Sequence, residues 1–216
     1  MNVAIMQPYL FPYIGYWQLI HNADTFVLFD DVNYKKKGYI NRNKIIDGAG
    51  SQQFTLELLG ASQNKLINQI EVGSNSSKIL KTIEWNYRKA PNFEKAFPIF
   101  ESAFNQDEKN LAKFVGHSLK MLSALFGIST KFMYSSDIKK DNSLKGQDKI
   151  LDIARRLKAK TYINAIGGVD LYDEDTFKKN NISLRFLTPS IIEYKQFDHD
   201  FISNLSIIDV VMFNSF

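Results

Sequence analysis

Residues 2–6, Asn-Val-Ala-Ile-Met, form a short apolar run that stops at Gln7-Pro8, and a second proline follows at Pro12. A proline has no N–H to give to a strand ladder and breaks a helix interior, so residues 7–15 must be a loop. A run this short and this apolar fits a strand buried on both faces, as in parallel sheets. The pattern recurs at 24–29, Asp-Thr-Phe-Val-Leu-Phe, which ends on Asp30-Asp31. Between the two runs, Tyr16, Trp17, Leu19 and Ile20 have helical spacing. A strand–loop–helix–strand opening puts polar residues at strand ends, where open α/β sheets hold ligands.

The rest of the chain extends this pattern. Residues 40–46 and 53–59 read as paired strands joined by Asp47-Gly48-Ala49-Gly50, a strong turn signal. Residues 63–72 suggest a further strand after an amide-rich loop. From 77 to 126 the period becomes helical: Ile79 and Ile83 mark a first helix ended by Pro91, residues 97–104 a second, and residues 111–126 a third, stopped by Gly127. Short strands are expected at 131–134, 161–164 and 182–186, with an amphipathic helix at 146–157 and a final helix from Leu205 capped near Ser203 or Asn204. The spacing predicts an α/β fold: one three-layer-like domain, a mixed, partly parallel sheet and a mainly helical insertion at about 77–126.

Composition narrows the chemistry. The chain has 216 residues and no cysteine, so no disulfide, thiolate metal site or thiol nucleophile is available. No apolar stretch approaches the ~18 residues of a membrane span, and no signal peptide precedes the first strand, so a cytoplasmic protein is expected. A net charge of +4 favours anionic small molecules. The lysines are scattered and no nucleic-acid motif appears, which argues against nucleic acid as a partner. The histidines, His21, His117 and His199, show no metal-ligand spacing, so no metal site is expected and no cofactor is named.

Gln7-Pro-x-x-Phe11-Pro12-x-x-Gly15-Tyr16, Asp30-Asp31-Val32, Asn41-Arg42-Asn43, Tyr87-x-x-Ala90-Pro91-x-Phe93, Leu125-x-Gly127-Ile128-x-Thr130 with Ser135-Ser136, and Phe201-x-x-x-Leu205-Ser206-Ile207-Ile208-Asp209 together resemble the WbqC-like protein family along nearly the whole chain. One departure is Asn33 where the family usually has glutamine after the Asp-Val pair. The resemblance implies a place in O-antigen or other surface-polysaccharide synthesis. It also implies work on a nucleotide-linked amino sugar, with an acyl or aminoacyl donor as the second partner. A homo-oligomer stays open. A looser likeness joins the 7–16 segment to nucleotidyltransferases of the HIGH type, but Tyr16 stands where their phosphate-binding histidine would follow Gly15.

Several groups are candidates for the site. In the first loop, Gln7, Tyr9, Pro12 and Gly15 would border a substrate, with helix N–H groups available to a phosphate; a rigid structural turn is the alternative. Asp30 or Asp31 would position or deprotonate an acceptor amine, or cap a turn. Arg42, with Asn41 beside it and Asn33 upstream, suits a phosphate or carboxylate. Lys35 begins a basic turn that is either a phosphate clamp or a solvated tip. Ser135-Ser136 and Gly167-Gly168 follow strands and could give donors to an anion, or form ordinary turns. Trp85 and Tyr87 read as core aromatics, with base or sugar stacking as the alternative. Three functions remain in play: a transferase acting on a nucleotide-linked amino sugar, an ATP-dependent amide ligase or nucleotidyltransferase-like enzyme, and a non-enzymatic accessory protein.

Overall fold

The structure is a computed structural model that describes residues 1–48, 50–198 and 200–215. The first strand, β1 (Asn2–Met6), leads through the proline loop into α1 (Ile14–His21) and then β2 (Thr25–Leu28). A hairpin follows, β3 (Arg42–Asp47) and β4 (Gly50–Thr55), in register from Arg42↔Thr55 to Asp47↔Gly50. Ala49 of the predicted turn lies outside the described residues. A second small antiparallel pair joins β5 (Leu58–Leu59) and β6 (Glu71–Val72). The chain then forms α2 (Ser76–Tyr87), α3 (Phe93–Phe104) and α4 (Leu111–Leu125) before β7 (Lys131–Tyr134). Last come α5 (Gly146–Arg156), β8 (Thr161–Ala165), α6 (Glu174–Lys179), β9 (Ser183–Leu187) and α7 (Ile207–Phe213).

The main sheet has five strands in the order β7-β2-β1-β8-β9, and every pairing in it is parallel. Antiparallel pairing occurs in the two small separate sheets and in isolated bridges between Asn33 and Leu66 and between Glu71 and Asn110. Alternation along β1 builds the layers. Ala4, with Phe26 and Leu28 of β2, packs under α1, α4 and α7. Val3 and Ile5, with Val27 and Tyr162, pack under α5 and α6, chiefly against Ile150, Ile153, Ala154 and Phe177.

Four local expectations need correction. The second helix of the 77–126 segment starts at Phe93, four residues before the expected Phe97. Pro98 is solvent-exposed and costs this helix one backbone bond, while Phe93 and Phe97 stack with ring centroids 5.0 Å apart and Ala96 and Phe100 fill the core. Residues 63–72 hold strand only at Glu71–Val72. The Gln69 side chain accepts from the Leu66 N–H at 3.0 Å and folds Ile67–Gln69 into a 3-10 turn. The last helix is capped by Ser206, whose hydroxyl accepts from the Ile208 N–H at 3.3 Å, rather than by Ser203 or Asn204. Trp85 and Tyr87 part company: Tyr87 is fully buried, whereas Trp85 is 69% exposed, with the Arg88 guanidinium 4.4 Å from its ring.

Candidate active-site cleft

With β2 and β7 on one side of β1 and β8 and β9 on the other, the strand order reverses between β1 and β8. The chain segments leaving these two strands diverge, and at that point a parallel sheet opens a crevice. A cleft of about 730 Å³ lies there. It gathers sequence candidates from four segments: Gln7 and Tyr9 after β1, Gly15 in α1, Lys35 in the basic turn, and Gly167-Gly168 after β8.

The 7–15 loop is held from many sides. Phe11, fully buried, sits at φ +44°, a region unfavourable for a bulky side chain. Its carbonyl accepts from the Asn43 amide at 2.6 Å and the Ser206 hydroxyl at 2.7 Å. Asn43 also donates to the Leu10 carbonyl at 3.1 Å. The Trp17 indole N–H donates to the Pro12 carbonyl at 3.1 Å, and the Tyr16 hydroxyl to the Gln7 carbonyl at 2.8 Å. Pro12 is therefore an anchor of the loop and does not line the cleft. At Gly15 any Cβ would fall 2.5 Å from the Tyr13 ring and 2.8 Å from Pro189, so a larger residue would have to displace both. Across the cleft, Asn164 donates to the hydroxyls of Tyr162 at 2.7 Å and Tyr172 at 2.9 Å, and its Oδ1 sits where a Cβ on Gly168 would approach to 3.2 Å.

Tyrosines dominate one wall. The Tyr9 ring lies 5.4 Å from Tyr39, 5.7 Å from Tyr16 and 6.4 Å from Tyr13. Burial, then the neighbouring Tyr39 and Tyr13, holds the Tyr9 hydroxyl well above the usual phenol range, against the opposing hydrogen bond to Asn43. Tyr9 is thus a hydrogen-bond donor at any physiological pH.

Lys35 and Lys37 supply charge at the rim, and among the described residues no carboxylate lines the cleft. Arg42 is not a lining residue. Its guanidinium donates to the Gly38 carbonyl at 2.9 Å and to the Lys37 carbonyl, fixing the turn that carries both lysines. Lys37 itself is left-handed at φ +62°.

Asp30 and Asp31 lie at the end of β2, beside the cleft but outside its lining. Asp30, 2% exposed, accepts from the Ser136 N–H at 2.9 Å, the Ser136 hydroxyl at 2.6 Å and Asn68 at 3.2 Å. Asp31 takes the Ser135 hydroxyl at 2.6 Å, the Lys140 ammonium at 2.7 Å and the Lys149 ammonium at 3.2 Å. Burial pushes the Asp31 carboxyl up, but Lys140, Ser135 and Lys149 together outweigh it and hold it below the usual carboxylate range. Both lysines pair with Asp31, while Asp30 is held by Ser136 and Asn68. These contacts clamp the β2 end to the Ser135-Ser136 turn and to α5. The Asn33 amide donates to the Gln63 carbonyl at 2.7 Å, and Asn41 spans the Leu56 carbonyl at 2.7 Å and the Tyr34 hydroxyl at 3.0 Å. Both asparagines brace loops and line no part of the cleft.

Asn43, Ser206, Asn164, Lys140 and Lys149 do positioning work that sequence reading did not single out. Asn43 sat in view within Asn41-Arg42-Asn43. Ser206 sat in view within the closing motif, but its bond to Phe11 spans 195 residues of chain, and Lys140 and Lys149 reach Asp31 across more than 100 residues, which no spacing rule signals; Asn164 acts locally, on Tyr162 and Tyr172. His21 and His117 are exposed, and His199 lies outside the described residues. Among the described residues no helix is long and apolar enough to cross a membrane.

A protein of Mycobacterium tuberculosis named uncharacterized protein Rv1507c is 25% identical over 215 residues, covering 97% of this chain and 92% of that one. No solved structure matches the chain. The WbqC-like protein family matches residues 7–216, and the chain, from its proline loop to the Ser206-capped helix, belongs to that family.

Proposed function

We propose that the protein is a transferase that acylates, or aminoacylates, the amine of a nucleotide-linked amino sugar for surface-polysaccharide synthesis. The observation that carries this reading is the cleft at the β1/β8 reversal, which has two lysines, aromatic walls and no carboxylate among its described lining residues. Such a lining favours a ligand that is both anionic and ring-bearing, as a nucleoside diphosphate is. The lysine turn, braced by Arg42, holds the diphosphate. The amine nitrogen attacks the acyl carbon of a thioester donor. The amide C–N bond forms, the C–S bond breaks, and the amine proton leaves with the thiolate. With no cysteine in the chain, this direct transfer needs no thiol of the protein. Tyr9, held protonated, donates to the acyl oxygen as negative charge develops there. Asp31 acts as a positioning residue, through Lys149 on α5.

The strand order and the Gly15 helix start favour a second reading, ATP binding with nucleotidyl or adenylyl transfer. The Tyr13 ring and Pro189 occupy the space beside Gly15, which leaves less room there for a triphosphate. Thermal unfolding with UDP, GDP, dTDP, CoA and ATP separates the readings. A ligand at about 100 times its Kd adds about 2.7 kcal/mol, or roughly 5–10 °C for a chain of this size. Stabilisation by a nucleoside diphosphate and by CoA supports acyl transfer, and ATP with pyrophosphate release supports the second reading. No shift with any of the five overturns both.

A further inference from the structure

Tyr9, Tyr13 and Tyr39 line two cavities: the cleft described above and a smaller one of about 400 Å³ on their other side. Asn43 and Lys44 of β3, Ser51 of β4 and the 202–205 segment ahead of α7 complete the smaller one. Its character differs from the cleft. Tyr39 offers a ring that is 51% exposed, and around it stand the Ser51 and Ser203 hydroxyls, the Asn204 amide and a single lysine. A flat aromatic face beside neutral donors and acceptors suits a hydroxylated ring, whose C–H face stacks while its hydroxyls and amide hydrogen-bond at the rim. Ile202 and Leu205 add apolar surface to the same lining, which the C–H face of such a ring can also cover.

Resting on the proposed function above, we infer that this second cavity is the sugar subsite. The diphosphate lies at Lys35 and Lys37, the chain of atoms passes the Tyr9–Tyr39 pair, and the hexose ring enters the smaller cavity. The reacting amine then lies next to the Tyr9 hydroxyl, at the seam between the two cavities.

Calorimetric titration of UDP against UDP-N-acetylglucosamine, GDP against GDP-mannose and dTDP against dTDP-glucose tests the assignment. In the native protein at least one sugar conjugate binds about tenfold more tightly than its bare nucleotide. Ser51→Trp, which fills the cavity, brings that pair to within about twofold and leaves the nucleotide Kd within about twofold of native. The Ser203→Ala/Asn204→Gly double variant serves the same end without adding bulk, and glycine suits the φ of +59° at position 204. Nucleotide binding with no sugar gain, or a gain that survives both changes, overturns the subsite alone. Failure of every nucleotide to bind overturns the wider reading instead.

Discussion

Asn43 is the residue on which the shape of the first loop most depends, and its removal has a calculable cost. The side chain is 1% exposed, and its amide nitrogen serves the Leu10 and Phe11 carbonyls at 3.1 and 2.6 Å. In Asn43→Ala the Phe11 carbonyl keeps the Ser206 hydroxyl at 2.7 Å, so there the loss is one ordinary bond, about 1 kcal/mol. Among the described residues the Leu10 carbonyl has no other donor, and an unsatisfied buried acceptor costs about 1–3 kcal/mol. The sum is about 2–4 kcal/mol, or roughly 4–16 °C in Tm for this size of chain. Urea unfolding followed by far-UV circular dichroism measures it, with an unchanged m-value as the check that only stability moved. Asn43→Asp sharpens the test. A carboxylate facing two carbonyls is disfavoured, so its pKa rises in the folded state above the unfolded value of about 3.9. The penalty is therefore full at neutral pH and shrinks as the pH falls through the raised value, because the protonated oxygen can again donate. An Asn43→Ala protein within about 0.5 kcal/mol of native, or an Asn43→Asp deficit that does not shrink on acidification, refutes the claim that this amide holds the loop.

Asp31 carries the opposite sign: its folded pKa is lowered, so its stabilisation is full above the unfolded value of about 3.9 and is lost as the pH falls through the folded one. Asp31→Asn leaves Lys140 and Lys149 with only backbone carbonyls as partners and should cost about 1.5–3 kcal/mol at pH 7, with the difference from native narrowing below about pH 4; a gap independent of pH in denaturant titrations contradicts the pairing. Gly116→Ala drives a Cβ to 2.4 Å from the Tyr134 hydroxyl and 2.9 Å from Leu28, so a loss of about 1–3 kcal/mol is expected, part of it recovered when Tyr134→Phe is added. Lys35→Ala and Lys37→Ala should each weaken the bound nucleoside diphosphate about three- to tenfold, an effect that fades in high salt. Calorimetry that finds both Kd values unchanged removes the turn from the phosphate site.

Much of the frame was legible because local physics wrote it. The strands at 2–6, 24–29 and 131–134, the helix stopped by Gly127 and the Gly-rich turn of the hairpin all follow from short-range rules of proline, glycine and hydrophobic spacing. Cleft residues were legible where they belonged to strand-end loops, as with Gln7, Tyr9, Gly15 and Gly167. The aspartate pair and Arg42 show what spacing cannot convey. Their residue types suit substrate contacts, but Lys140 and Lys149, more than 100 residues away, absorb Asp31, and the carbonyls of Lys37 and Gly38 absorb Arg42. A sequence displays what a side chain can bond, and only the fold displays what has already bonded it. The parallel pairing of β1 with β8 was hidden for the same reason, since 159 residues separate Asn2 from its partner Thr161.

That distance has a consequence for synthesis. β1 is made long before β8, so one of its two hydrogen-bonded edges stays bare until β8 follows, and the Phe11 carbonyl waits longer still for Ser206. The 7–15 loop therefore lacks part of its bracing until Ser206 has been made, and sets late relative to its own synthesis. Ligand capture by a nascent chain would therefore switch on late and abruptly, as the closing stitch of folding rather than an early landmark.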